Sequence, residues 1–211
     1  MNRKLKYLED IKMSINNINS FFEGKDKKFQ DYKNNLMLKH AVERNIGIIG
    51  EAVTQLRQID ENIEITSASK ISGTRNRIIH NYDAVSDDIM WGIIINHLPL
   101  LNTEVKYLID RENIIDRIIE SKHPEEFSIN GSETIETNGK KTGVIIHASF
   151  NGKKKTFVWD KQTDDICYCE GDSKPGSFHK NIPWKTLDGK PAGYTPTRVL
   201  SVENKKKLGL P

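Results

Sequence analysis

The spacing of apolar residues changes its period near residue 120, and no other feature constrains the fold as strongly. Upstream, Leu5, Leu8, Ile11, Ile15, Ile18 and Phe22 recur in steps of three and four, one stripe of an α-helix. A longer pattern follows through Phe29, Tyr32, Leu36, Val42, Ile46, Ile49, Val53 and Leu56. Gly47 and Gly50 sit inside it. A glycine costs a helix ~1 kcal/mol against alanine, so close helix packing is expected there. A polar stretch over residues 60–69 interrupts the pattern, and helical character resumes near Arg75 and runs to about Tyr82. Ser86 supplies an N-cap and Asp87 and Asp88 an acidic first turn for a helix carrying Ile89, Trp91, Ile93 and Ile94. Pro99 marks its end or a kink. A last helix runs through Leu101, Val105, Leu108, Ile115 and Ile118. These elements predict a bundle of four or five helices.

Downstream the punctuation differs. Six of the seven prolines and nine of the fourteen glycines lie beyond residue 120. Residues 121–128, with Pro124, read as a linker. Asn138-Gly139 and Asn151-Gly152 are hairpin-turn dipeptides between β-like runs at 134–137, 143–150, 156–160 and 166–169. They predict a small antiparallel meander. A Gly- and Pro-rich stretch follows to residue 196, and residues 197–207 suit a short helix capped by Thr197. The fold class is therefore α+β: a helical bundle over 1–120, a linker over 121–128 and a β-rich domain over 129–211.

Charge divides at nearly the same place. The net +3 is the sum of −2 over residues 1–130 and +5 over residues 131–211. No apolar run approaches the ~18 residues of a membrane span, and the N-terminal residues lack an unbroken apolar run of the signal-peptide kind. Cys167 and Cys169 are the only cysteines, too few for a disulfide scaffold. A cytoplasmic protein without membrane contact is expected.

Residues 72–82, Ser-Gly-Thr-Arg-Asn-Arg-Ile-Ile-His-Asn-Tyr, are the segment richest in chemistry. On a helix Asn76 and His80, four apart, share a face, and Arg75 and Tyr82, seven apart, nearly eclipse. Arg75 and His80, five apart, sit well around the helix from one another. The segment is either a polar strip of Arg, Asn, His and Tyr with a task, or a solvated helix end with a satisfied histidine.

Three ordered segments resemble the HEPN fold and within it the HepT toxin family, over about residues 4–115. The first is residues 41–52, Ala-Val-Glu-Arg-Asn-Ile-Gly-Ile-Ile-Gly-Glu-Ala, similar to the family's long-helix signature. The second is Arg75-Asn76 followed by His80 and Tyr82, similar to its Arg-x4-His motif with a tyrosine two residues on. The third is Ile89-Met90-Trp91 with Leu98-Pro99-Leu100-Leu101. The Pro-Trp often found before the motif in relatives is absent from residues 65–74.

The resemblance implies an all-α homodimer whose motif helices meet in a shared cleft that cleaves RNA without a metal or other cofactor. His80 is then the general base or acid. Arg75 holds the phosphate, and Asn76 orients His80 or the phosphate. It also implies an antitoxin partner, a minimal nucleotidyltransferase of the MntA kind, which attaches AMP to Tyr82. The alternative for Tyr82 is a partly buried aromatic at a helix end. Glu43, Arg44 and Glu51 match signature positions; Glu51 is expected to pair with a basic residue near the cleft, as catalytic support or as a structural ion pair. Trp91 is expected in the core. The rival to a toxin nuclease is a non-catalytic HEPN module that scaffolds a nucleotidyltransferase or RNA, with the β-domain for target recognition.

Residues 125–211 resemble no family. Lys153, Lys154 and Lys155 lie close to Trp159 in a segment rich in aromatics, the composition of an RNA-contacting surface. The alternative is a small sheet with aromatics in its core and lysines at its turns. Cys167 and Cys169 alone do not make a zinc site, and on a strand they share one face as packing residues would.

Overall fold

In the computed structural model, residues 2–24, 26–80, 86–137, 139–171 and 184–192 are described. The helices are α1 (Arg3–Ser20), α2 (Phe29–Lys33), α3 (Leu36–Ile59), α4 (Ala68–His80), α5 (Asp87–Gly92) and α6 (Leu98–Lys122). A five-stranded antiparallel sheet follows, β1 (Phe127–Thr137), β2 (Lys140–Phe150), β3 (Lys153–Asp160), β4 (Ile166–Glu170) and β5 (Lys185–Thr186), in sequential order. This is the α+β class that the change of period predicts. The chain divides into two compact units, Met1–Asn113 and Ile114–Pro211, with the boundary inside α6. No helix among the described residues is long and apolar enough to cross a membrane.

Most positions of the predicted stripes are the core of the first unit, but Leu36, expected in the second stripe, is exposed because it opens α3 just after its cap. Leu8, Ile11, Ile15 and Ile18 of α1 are buried, as are Val42, Ile46, Ile49, Val53 and Leu56 of α3. Each such side chain contributes about 1.5–3 kcal/mol on burial. Side-chain caps set several boundaries. Asn2 Oδ1 accepts from Lys4 N at 3.0 Å to start α1, and Ser86 Oγ accepts from Ile89 N at 3.4 Å to start α5. Asn35 Oδ1 accepts from Leu38 N at 3.0 Å. That cap divides the single long pattern of the sequence into α2 and α3, because an Asn side chain offers the first-turn N–H groups a partner outside the helix.

The start of α4 differs from expectation. Helix α4 begins at Ala68, well before Arg75. Its first turn is polar outward while Ala68, Ile63 and Ile65 are buried, and Thr66 donates to Glu104 of α6 through both its backbone N–H and its hydroxyl. Pro99, expected at a helix end or a kink, stands at the second residue of α6, just after the α-helical ladder is interrupted. A π-helical turn, Ile93–His97, precedes α6 and widens the coil where the proline has no N–H and its ring crowds the carbonyl four residues back. Trp91 is half-buried among Phe22, Phe29 and Tyr32, with ring centres 5.7–6.0 Å apart.

In the second unit Asn151 and Gly152 have φ of +48° and +73°, the paired left-handed conformation of a two-residue hairpin turn. Phe127 and Ser128, expected in a linker, are the first residues of β1, where Phe127 pairs with Phe150 across the ladder. Ile145, Val158, Cys167, Cys169 and Trp184 form one buried cluster, with Ile135 and Ala192 packed against it. Both cysteines are buried inside that cluster and share its face of β4. The short helix expected at 197–207 lies outside the described residues.

The N-terminus of α1 and the C-terminus of α3 are tied by Lys4 Nζ to Asp60 Oδ2 at 2.8 Å. Burial alone pushes the Asp60 carboxyl up. The Lys4 ammonium, the Asn62 N–H and the Arg111 charge outweigh it and hold the group below its ordinary value. The folded chain therefore binds this proton less tightly than the unfolded chain. The stabilisation is present above the unfolded carboxylate pKa of about 4 and is lost as pH falls through the lowered value. Asp60→Asn is expected to cost about 1 kcal/mol at pH 7. In urea unfolding the gap from wild type should narrow as the solution is acidified below pH 4; a gap constant across that range counts against the pair.

Candidate active site

Helices α3 and α4 run antiparallel and are joined by a regular ladder of side chains. Arg57 Nη1 donates to Ser69 Oγ at 3.2 Å, and Thr54 Oγ1 donates to Ser72 Oγ at 3.2 Å. Arg75 Nη2 meets Glu51 Oε2 at 2.7 Å. Each step of three residues back along α3 matches a step of three forward along α4, the spacing at which one helix face repeats. Glu51 thus takes the basic partner expected of it, and that partner is Arg75.

Gly50 makes this rung possible. A Cβ at position 50 would stand 2.3 Å from Arg75 Cβ, 3.0 Å from Arg75 Cγ and 3.3 Å from the Ile71 carbonyl oxygen. Only a residue without a side chain admits the stem of Arg75. Gly47, one turn earlier, has nothing within 4 Å of the same imagined atom. The close packing expected of the two glycines therefore belongs to Gly50 alone.

Arg75 is held on two sides. Besides Glu51, its Nη1 donates to Asn76 Oδ1 at 3.0 Å. Its Nε is buried and has no hydrogen-bond partner among the described residues. The guanidinium borders a groove of about 520 Å³ whose wall is mostly α3, with Arg44, Gly47, Ile48 and Glu51 in line. Tyr7 and Asp10 of α1 form the other side, and His40 and Glu43 stand at one end, 3.2 Å apart. Four residues that the sequence points to, Glu43, Arg44, Glu51 and Arg75, therefore meet in one groove, and Asn76 touches Arg75. His80 is the last residue of α4, about 7.5 Å along the helix axis from Arg75 at 1.5 Å per residue. Its side chain and the whole of Tyr82 lie outside the described residues. Tyr7 and His40 were not selected from the sequence. His40, Arg44 and Glu51 do form a polar stripe opposite the apolar stripe of α3, and that spacing was the available signal.

Comparison with known proteins places the helical part of this chain in a family. The model of the "Ribonuclease HepT-like" family matches residues 11–108. A protein of Caldanaerobacter subterraneus subsp. tengcongensis, named "Putative RNase", is 33% identical over 85 residues, 40% of this chain and 76% of its own length. A "Putative RNase" of Methanocaldococcus jannaschii is 31% identical over 101 residues, 47% of this chain and 91% of its own length. The chain belongs to the ribonuclease HepT-like family. The match spans most of α1 and part of α6, and includes all of α3 and α4; it stops short of the sheet. No solved structure matches the chain.

The four lysine-region candidates lie in the second unit. Lys153 and Lys154 are exposed and Lys155 is half-buried. Trp159 is buried, and its Nε1 donates to Asp164 Oδ1 at 2.8 Å, so its ring is part of the sheet's packing and not a platform for a base. No group of three or more His, Cys, Asp and Glu side chains among the described residues could hold a metal ion.

The two glycines of α3 provide a matched test. Gly50→Ala is expected to destabilise the fold by about 1–3 kcal/mol through overpacking against Arg75. Gly47→Ala should stabilise it by up to about 1 kcal/mol through helix propensity. Thermal unfolding of the two variants in parallel reads the difference; equal shifts would dismiss the close approach at Gly50.

Proposed function

We propose that this chain is a metal-independent endoribonuclease, the toxin of a toxin–antitoxin pair, acting as a homodimer. The observation that carries the reading is Arg75, held by Glu51 and Asn76 at the edge of a groove, on the helix that His80 ends, in a chain of the ribonuclease HepT-like family. In this mechanism the RNA 2′-OH attacks the adjacent phosphorus. The bond to the 5′ oxygen breaks, and a 2′,3′-cyclic phosphate and a 5′-OH result. His80 takes the proton from the 2′-OH or returns one to the leaving oxygen, since imidazole titrates near neutral pH. Arg75 is charged at every working pH and offers paired N–H donors to the phosphate oxygens as negative charge builds on them. Asn76 keeps the guanidinium, or the phosphate, in line. Dependence on a 2′-OH restricts the substrate to RNA.

The partner in this reading is a nucleotidyltransferase antitoxin of the MntA kind, which attaches AMP to Tyr82. A bulky anion two residues from His80 would fill the cleft and oppose a phosphate there by charge. A second reading has its own support: Arg75 already spends two N–H groups on Glu51 and Asn76. A guanidinium so committed also suits a non-catalytic HEPN module that scaffolds the nucleotidyltransferase or RNA.

Purified protein incubated with RNA in EDTA separates the two. Cleavage is expected, lowered 10²- to 10⁴-fold in His80→Ala and about 10²- to 10³-fold in Arg75→Gln. Replacing the ribose at the cut site by deoxyribose should abolish it. Intact RNA with wild-type protein, or His80→Ala cutting at the wild-type rate, rejects catalysis. For the antitoxin, intact mass after co-expression should rise by whole AMP units in wild type and stay unmodified in Tyr82→Phe; unchanged wild-type mass rejects the modification.

A further inference from the structure

The sheet unit holds a charge arrangement that the nuclease cleft leaves unused. In the ladder, Phe157 of β3 stands opposite Tyr168 of β4, Lys155 opposite Glu170, and Lys185 of β5 opposite Tyr168. Side chains alternate along a strand, so Lys155, Tyr168 and Lys185 share one face. The end of α6 brings Lys122 to the same ring. Lys122 Nζ lies 4.7 Å from the Tyr168 ring centre, Lys155 Nζ lies 4.9 Å from it, and Lys155 Nζ also lies 4.8 Å from the Phe150 ring centre.

Among the described residues, the carboxylates nearby do not balance these charges. Glu170 meets Lys155 at 3.4 Å, and Asp188 is engaged by Lys190 at 2.8 Å. Aromatic faces attract ammonium groups, but they carry no net charge to neutralise them. The Lys122 ammonium is held below its ordinary pKa, first by burial and next by Lys155, with Lys185 acting the same way against Asp188 and Glu170. An anion seated among the three lysines relieves that repulsion.

We propose that Lys122, Lys155 and Lys185 form a phosphate-binding site on the second unit, and that the phosphates it takes belong to an RNA strand. The choice of RNA as the carrier rests on the ribonuclease reading; the site itself rests on the lysines. With the Trp159 ring buried and lysine ammonium groups over the Tyr168 and Phe150 rings, the contact is to the backbone and not to the bases. Binding is therefore independent of base sequence and steeply dependent on salt.

The test uses the full chain and fluorescence anisotropy with a 2′-O-methyl RNA, which cannot be cut through its 2′ oxygen. Replacing the three lysines together by glutamine is expected to weaken binding about tenfold or more at low salt. The slope of log K against log salt should become shallower by about 0.7 for each lysine in phosphate contact. The triple arginine variant should keep most of the affinity, and Lys106→Gln, an exposed charge of the first unit, should change nothing. If the triple glutamine variant does not fold, Lys122→Gln alone carries the comparison. Unaltered affinity in the glutamine variants overturns the site. So does an equal loss in the arginine variant, which would mean that packing decides and not charge. Wild-type protein that binds inorganic phosphate or AMP at these lysines but no RNA overturns the RNA assignment, as does a polyglutamate peptide that binds there in place of RNA. The nuclease reading fails separately: lysine-dependent RNA binding with no cleavage of unmodified RNA sinks that reading alone.

Discussion

Contact between Gly50 and the stem of Arg75 governs the geometry of the helical unit's candidate site. Helices that cross without a missing side chain stay 8–10 Å apart at their axes. Here the Cβ of Arg75 occupies the space a Cβ on position 50 would need. The guanidinium is thereby brought to Glu51, the next residue of α3, at 2.7 Å. The hydroxyl rungs at Thr54–Ser72 and Arg57–Ser69 follow the same register. A slip of α4 by one residue would turn Arg75 about 100° away from the groove and remove all three rungs together.

The ion pair has a chemical consequence. Glu51 is about half-exposed and Arg75 less so, so the pair sits near the surface, where attraction is moderated by water. A phosphate can compete with a carboxylate under those conditions, because both offer paired oxygens to the same fork of N–H groups. The pair therefore aims the guanidinium without sealing it. Groups that would complete the site, His80's ring and Tyr82, follow on the same stretch of chain.

Much of this was legible in the sequence. Steps of three and four marked the buried faces of α1 and α3, and every residue of the Leu8–Ile18 stripe is buried. Asn151-Gly152 marked its hairpin, where both residues are left-handed, and Gly139 between β1 and β2 is left-handed as well. Boundaries set by competition were not legible. Whether Asn35 caps a helix or rides inside one depends on which partner its side chain finds. The early start of α4 depends on Glu104, 38 residues away, receiving Thr66. Trp159 beside three lysines had the composition of a nucleic-acid surface, but strand alternation cannot say whether a face is covered. Its hydrogen bond to Asp164 shows that it is packed.

By itself the sequence determined the α+β class, the helical stripes, the hairpin turns and the family of the first unit. Those properties are local: they depend on neighbours three, four or two residues apart, or on a motif within one segment. Tertiary structure decided which charges meet. Arg75 and Glu51 are 24 residues apart in sequence and 2.7 Å apart in space, and the lysines around Tyr168 come from a helix and two strands. No pattern of period holds that information, because close approach between elements is set by packing, where a single absent Cβ at Gly50 outweighs the pattern around it.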